Sequence, residues 1–163
     1  MTTDDPTEES LWRPLRRLQA HMDADIGRLY TDADIEGLRP SFVMELIRLH
    51  RRGPMTIREL AESVEHTHSA ESQKVAAMRA AGLVRTEPGP DARSKRITLT
   101  DRAEAIVAKM AAEWRATEAA LAELEAELPY PLSRVVTDIE EALRRKSFHD
   151  RIHDKLAEDE SWR

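Results

Sequence analysis

Asp91-Ala92-Arg93-Ser94-Lys95-Arg96 sets three cations and one carboxylate within six residues. Cations so closely spaced suit phosphate oxygens, because neutralising them releases counterions and drives binding. An arginine on a narrow projection can also enter a minor groove, where negative potential is concentrated. Lys95 and Arg96 alternate along an extended strand, so at most one of the two faces a given partner. Residues 67–81 offer a different chemistry. On a helical wheel Val75 and Met78 mark an inward face, while Ser69, Gln73, Ala76, Ala77 and Ala80 point outward. Small side chains allow close approach to a groove about 12 Å wide, and glutamine can pair bidentately with adenine. The expected base-reading set is Ser69, Ser72, Gln73, Ala76 and Ala77. Free N–H groups at the helix start, with Thr67, His68 and Ser69, can hold a phosphate. Arg58 and Lys74 are expected phosphate contacts.

Other reactive groupings are sparse. His149 and His153 are four apart on one helix and could share a metal. The run His-Asp-Arg-Ile-His lacks the glutamate of the metalloprotease pattern, so a solvated or dimer-edge pair is expected. His66 and His68 flank Thr67, and two histidines alone are weak grounds for a metal. There is no Gly-rich phosphate loop, nucleophile elbow or paired-carboxylate site. Neither an enzyme, a cofactor nor a metal is expected.

These residues need elements to hold them. Leu15, Leu18, Met22, Ile26 and Leu29 form one apolar helix face after Pro14. A loop over Thr31 to Gly37 follows. A second helix starts near Pro40, with Phe42, Leu46, Ile47 and Leu49 inward, and stops at Gly53-Pro54. A short helix spans Ile57 to Val64, with Thr56 as N-cap and Glu59 completing a capping box. The turn Glu65-His66 leads to a helix capped by Thr67 and ended by Gly82. Two extended runs, Leu83 to Thr86 and Lys95 to Leu99, flank the turn signal Pro88-Gly89-Pro90-Asp91.

From Thr100 the pattern lengthens. Ala103, Val107, Met110, Trp114, Thr117, Leu121, Leu124 and Leu128 keep an a/d seam for over three heptads. Pro129 and Pro131 break it. One last helix is expected to carry Leu132, Val135, Val136, Ile139 and Leu143, extending toward Phe148, Ile152 and Leu156.

Helix, short helix, turn, helix and hairpin is the winged helix-turn-helix order. The segment Asp91 to Thr100 resembles the wing of MarR-type regulators, Gly82-Leu83-Val84-Arg85 its strand entry, and Thr56-Ile-Arg-Glu-Leu-Ala its first turn helix. The resemblance covers roughly residues 39 to 128. It implies a mainly α fold with a small β-hairpin wing and long terminal dimerisation helices. It also implies that Arg93 enters the minor groove with Asp91 orienting it. Two residues depart from the family pattern: His66 and Glu71 stand at usually apolar positions. Glu71 lies near the inward face, and a lone buried carboxylate is costly, so Lys74 or His66 is its expected partner. The family implies a homodimer on two half-sites about 34 Å apart, and a small aromatic effector at the junction of dimer base and DNA-binding lobe. Trp12, Met22, Tyr30, Phe42, Met44, His50 and Trp114 lie near that junction.

Composition sets the outer bounds. The chain has 163 residues, a net charge of −6, and no cysteine. Lack of cysteine excludes disulfides, Cys-ligated zinc, iron–sulfur clusters and thiol sensing. No apolar run approaches the ~20 residues of a membrane span. The acidic start, MTTDDPTEES, is unlike a signal peptide, so a cytoplasmic, nucleoid-associated protein with no membrane partner is expected. Net acidity argues against nucleic acid only until it is divided. Residues 39–100 carry 11 basic and 7 acidic side chains, net +4, between flanks of −5 each. The expected organisation is an acidic tail (1–9), an N-terminal dimerisation helix (10–38), a DNA-binding lobe (39–100) and C-terminal dimerisation helices (101–163). The resulting expectation is a ligand-responsive repressor, homodimeric on double-stranded DNA at a pseudo-palindromic operator. The alternatives are another winged-helix regulator family, or a helical interaction adaptor that keeps the winged helix as a scaffold.

Overall fold

A computed structural model describes residues 5–89 and 94–162. Its elements are α1 (Arg13–Asp32), α2 (Pro40–Arg52), α3 (Ile57–Ser63), α4 (His68–Ala80), β1 (Val84–Pro88), β2 (Lys95–Leu99), α5 (Asp101–Glu127), α6 (Leu132–Arg145) and α7 (Phe148–Ala157), with a final 3₁₀ turn Glu160–Trp162. One compact unit ends at Trp114 and a second begins at Arg115. The mainly helical fold with a small two-stranded wing is as expected.

The first unit is built on an apolar core to which every element from α1 to α5 contributes. Phe42, Val43, Leu46 and Leu49 of α2 meet Leu60 of α3, Val75 and Met78 of α4, and Ala103, Val107 and Met110 of α5. Leu46, Leu60, Met78 and Leu83 are fully buried, and each such side chain contributes roughly 1.5–3 kcal/mol by leaving water. Pro40 opens α2 at a position where its missing N–H costs nothing. Gly53 closes the helix at φ 78°, a left-handed conformation that suits glycine, and its N–H reaches Leu49 O at 2.9 Å.

The wing is an antiparallel pair with Val84 opposite Leu99, Thr86 opposite Ile97 and Glu87 opposite Arg96. It begins one residue later than expected and runs on to Pro88, which sits at the strand end where a missing donor is tolerated. Met55 adds an unexpected third edge. It exchanges both backbone hydrogen bonds with Ile97, at 3.1 and 2.6 Å, and so ties the α2–α3 turn to the wing. Thr100 caps α5, accepting from Ala103 N at 3.3 Å while its hydroxyl donates to Gly82 O at 2.8 Å.

The second unit departs from expectation. One terminal helix was expected after Pro131, and two are found. Lys146 is extended (φ −149°, ψ 117°), and Ser147 Oγ accepts from Asp150 N at 3.1 Å, starting α7. The apolar spacing continues across this break, so periodicity alone hides it, whereas Ser147 is an ordinary N-cap residue. Glu125 Oε1 and Oε2 accept from the backbone N–H and hydroxyl of Ser133, each at 2.6 Å, which fixes the α5–α6 corner. Among the described residues of this unit none is buried, and Leu124, Leu128, Leu132, Val135, Val136, Leu143, Phe148 and Ile152 are all exposed.

Candidate nucleic-acid interface

The turn between α3 and α4 is set by local chemistry. Thr56 Oγ1 accepts from Glu59 N at 3.2 Å, and Glu59 Oε2 accepts from Thr56 N at 2.7 Å, the reciprocal capping box expected from sequence. These bonds, first from the Thr56 backbone and then from its hydroxyl, hold the Glu59 carboxyl below its usual range. At the other end His66 N reaches back to Ala61 O at 3.0 Å, the long bond of a Schellman closure. Glu65 takes the left-handed position this closure needs, at φ 58°, where glycine is the usual residue. Thr67 then caps α4, accepting from Ala70 N at 3.2 Å.

The outward row of α4 is close to that expected. His68, Ser69, Gln73 and Ala76 are exposed, as is Thr67 at the cap, and Ser72 is half-buried. Two residues differ. Ala77, expected outward, is half-buried and packs on the core. Lys74, expected to face a phosphate, is turned inward and donates to Glu45 Oε1 at 2.6 Å. Glu45 is fully buried, and the helix-face reading of α2 missed it. Its spacing from Phe42 and Leu49, three and four residues, was the available signal.

Glu71 is fully buried, as its place on the inward face implied. Burial raises its carboxyl pKa most, a hydrogen bond with His66 opposes this, and the nearby charge of Glu45 raises it further. His66 Nδ1 lies 3.1 Å from Glu71 Oε2, so the expected partner is present. Both departures from the apolar pattern therefore answer one another.

Elsewhere Arg58 is exposed and pairs with Glu62 at 2.9 Å. Lys95 is exposed and Arg96 half-buried, with Arg96 Nε buried and without a hydrogen-bond partner. Asp91 and Arg93 lie outside the described residues. Of the residues expected around an effector, Tyr30 and Phe42 belong to the core cluster and Trp114 packs against it. Tyr30 and Phe42 are buried, and the Tyr30 hydroxyl donates to Glu113 Oε2 at 2.9 Å. Met22, Met44 and Trp114 are half-buried, and Trp12 is half-exposed at the start of α1. Only His50 of the seven lines a cavity of about 490 Å³, between α2 and α5, with Ile47, Arg51, Val107, Ala108 and Ala111. Its Nδ1 is 2.7 Å from Glu104 Oε2. His149 and His153 are exposed with ring centroids 6.3 Å apart.

Residues 40–103 match the family model described as a winged helix DNA-binding domain. No curated protein sequence matches the chain significantly. Among solved structures the chain is similar to the M. tuberculosis transcriptional regulator MosR in complex with DNA, at 25% identity and TM-score 0.59, covering 84% of this chain and 98% of that one. It is similar to the S. aureus MepR–DNA complex at 15% identity and TM-score 0.60, covering 84% and 98%. A MarR protein from Peptoclostridium difficile aligns at 15% identity and TM-score 0.55, covering 89% and 90%. Residues 40–103 thus match a winged helix DNA-binding domain, and the chain has the fold of the MarR-type transcriptional regulators.

Proposed function

We propose that the chain is a MarR-type transcriptional regulator, a repressor that binds double-stranded DNA as a homodimer and is released by a small aromatic effector. The observation that carries this reading is the exposed row Ser69, Gln73 and Ala76 on α4, presented beside a basic wing. Ser69, Ser72, Gln73 and Ala76 read base edges in the major groove, and Arg93, oriented by Asp91, reads the minor groove. Thr67, His68, Arg58 and Lys95 position phosphates, with Arg58 leaving Glu62 to do so. Lys74 and Ala77 take no part, because one is bonded to Glu45 and the other packs on the core.

Two-fold pairing supplies the second half-site, and the apolar faces of α6 and α7 are its natural surface. The cavity beside Ile47 and Val107 offers an effector an apolar wall, with the cation of Arg51 at its rim. Among the described residues no helix is long and apolar enough to cross a membrane, and a DNA target places the protein at the nucleoid in the cytoplasm. The test is duplex binding over a salt series with fragments selected from genomic DNA. Arg93→Ala is expected to weaken binding and lower the salt slope by about one. Salt-insensitive or absent DNA binding favours the adaptor reading instead.

A further inference from the structure

We propose that Glu45, His66 and Glu71 form a binding site for a divalent transition-metal cation of the zinc class. The site joins three segments: α2, the α3–α4 turn and α4. One donor atom from each residue lies within 4.8 Å of the others. His66 Nδ1 is 3.1 Å from Glu71 Oε2 and 3.6 Å from Glu45 Oε1. A tetrahedron with metal–ligand bonds of about 2.0–2.2 Å has edges of about 3.3–3.6 Å. These two separations therefore already approach the spacing a metal requires.

A second observation points to a cation at this place. Glu45 and Glu71 are both 0% exposed, and Glu45 Oε2 and Glu71 Oε1 are buried without any hydrogen-bond partner. Buried carboxylate oxygens are normally satisfied, and each exception calls for a cause such as an ion. Lys74 Nζ sits 2.6 Å from Glu45 Oε1 and 3.5 Å from His66 Nδ1, so a cation is already held at the edge of the site. Lysine is a flexible point charge and can withdraw along its stem. The His66 side chain is 38% exposed, which opens a path from solvent. One imidazole and two carboxylates suit a borderline cation, and binding through Nδ1 would leave the His66 proton on Nε2. Bound metal would clamp α4 to α2, and the site stands whatever α4 contacts.

The experiment is equilibrium dialysis of the full chain against zinc chloride alone, in a His149→Ala/His153→Ala background that removes the exposed pair. Thermal denaturation with and without zinc is followed in parallel. One zinc per chain is expected, with a rise in melting temperature. His66→Gln, at an exposed side chain, is expected to weaken uptake about tenfold or more, at least the scale seen for outer-shell partners of metal ligands. Lys74→Gln keeps an amide donor beside Glu45 but removes the competing charge, so zinc should bind several-fold more tightly. Far-UV circular dichroism checks that both variants are folded. Any other pattern overturns the assignment: no saturable uptake, uptake unchanged by His66→Gln, or uptake not tightened by Lys74→Gln.

Discussion

Lys74 Nζ donates to Glu45 Oε1 across 2.6 Å, and the acceptor is fully buried while the lysine side chain is only 20% exposed. A cation on the outward-reading helix is thereby spent holding α4 to α2. Lys74→Ala should cost about 3 kcal/mol of stability, because it strands a buried carboxylate. It should leave the salt slope of DNA binding unchanged, since no phosphate contact is lost. Chemical denaturation and a salt series measure the two effects separately, and a slope reduced by one would return Lys74 to the interface.

Glu71 answers the opposite question, what the buried carboxylate itself contributes. Burial dominates its energetics, and one of its oxygens has no partner. Replacing it by an apolar side chain of similar length removes that desolvation, while half-exposed His66 can rehydrate. Glu71→Met in chelator-treated protein is expected to gain about 1–2 kcal/mol, in line with buried ionic groups exchanged for apolar ones. A loss of stability in urea melts would mean that the His66 contact outweighs the desolvation.

Glu65 holds a left-handed backbone at φ 58° in the turn that aims α4. A side chain there costs about 1–2 kcal/mol relative to glycine, and glycine returns part of that through the more flexible unfolded chain. Glu65→Gly should therefore raise stability by about 0.5–1 kcal/mol. Glu65→Val should lower it, because a β-branched residue fits this region worst. The paired shifts of the melting midpoint are the check.

The Thr56–Glu59 box makes α3 sensitive to acid. The Glu59 carboxyl is held below its usual range by Thr56, so the folded chain favours the ionised form. That contribution is fully present above the ordinary glutamate pKa. It falls away as pH drops through the lowered folded value. Protection of the α3 amides, measured relative to intrinsic exchange at each pH, should fall over that acid window in the wild-type chain. Glu59→Gln should start with lower protection at neutral pH and lose no more across the acid window.

The capping box, the Gly53 stop and the wing were legible because each depends on neighbours in sequence. Thr56 and Glu59 are three apart, and Lys95 to Leu99 alternates as a strand must. An inward Lys74 was legible as a candidate partner of Glu71, but its actual acceptor was not, because Glu45 lies 29 residues away in sequence. A wheel places side chains by angle, and an ammonium follows a buried carboxylate against that angle. The α6–α7 break was hidden for the opposite reason. Apolar spacing continued where the backbone did not, and Ser147 was the cue that mattered.

The apolar face of α6 tests the dimer. Leu132, Val135, Val136, Ile139 and Leu143 recur at three and four on one side, and four of them are exposed while Ile139 is half-buried. An exposed stripe this continuous is uncommon on a monomer and marks an interaction surface. A second copy of the chain can cover it by a two-fold axis, each stripe meeting its equivalent. Val136→Glu puts two like charges near that axis, where neither finds a partner, and leaves the winged helix unchanged. Light scattering on gel filtration should then move from dimer mass to monomer mass at micromolar concentration. Because a monomer engages one half-site, affinity for a two-site duplex should fall steeply and its salt slope should drop by about half. A wild-type chain that already runs as a monomer would remove the two-site model, and with it the need for that face.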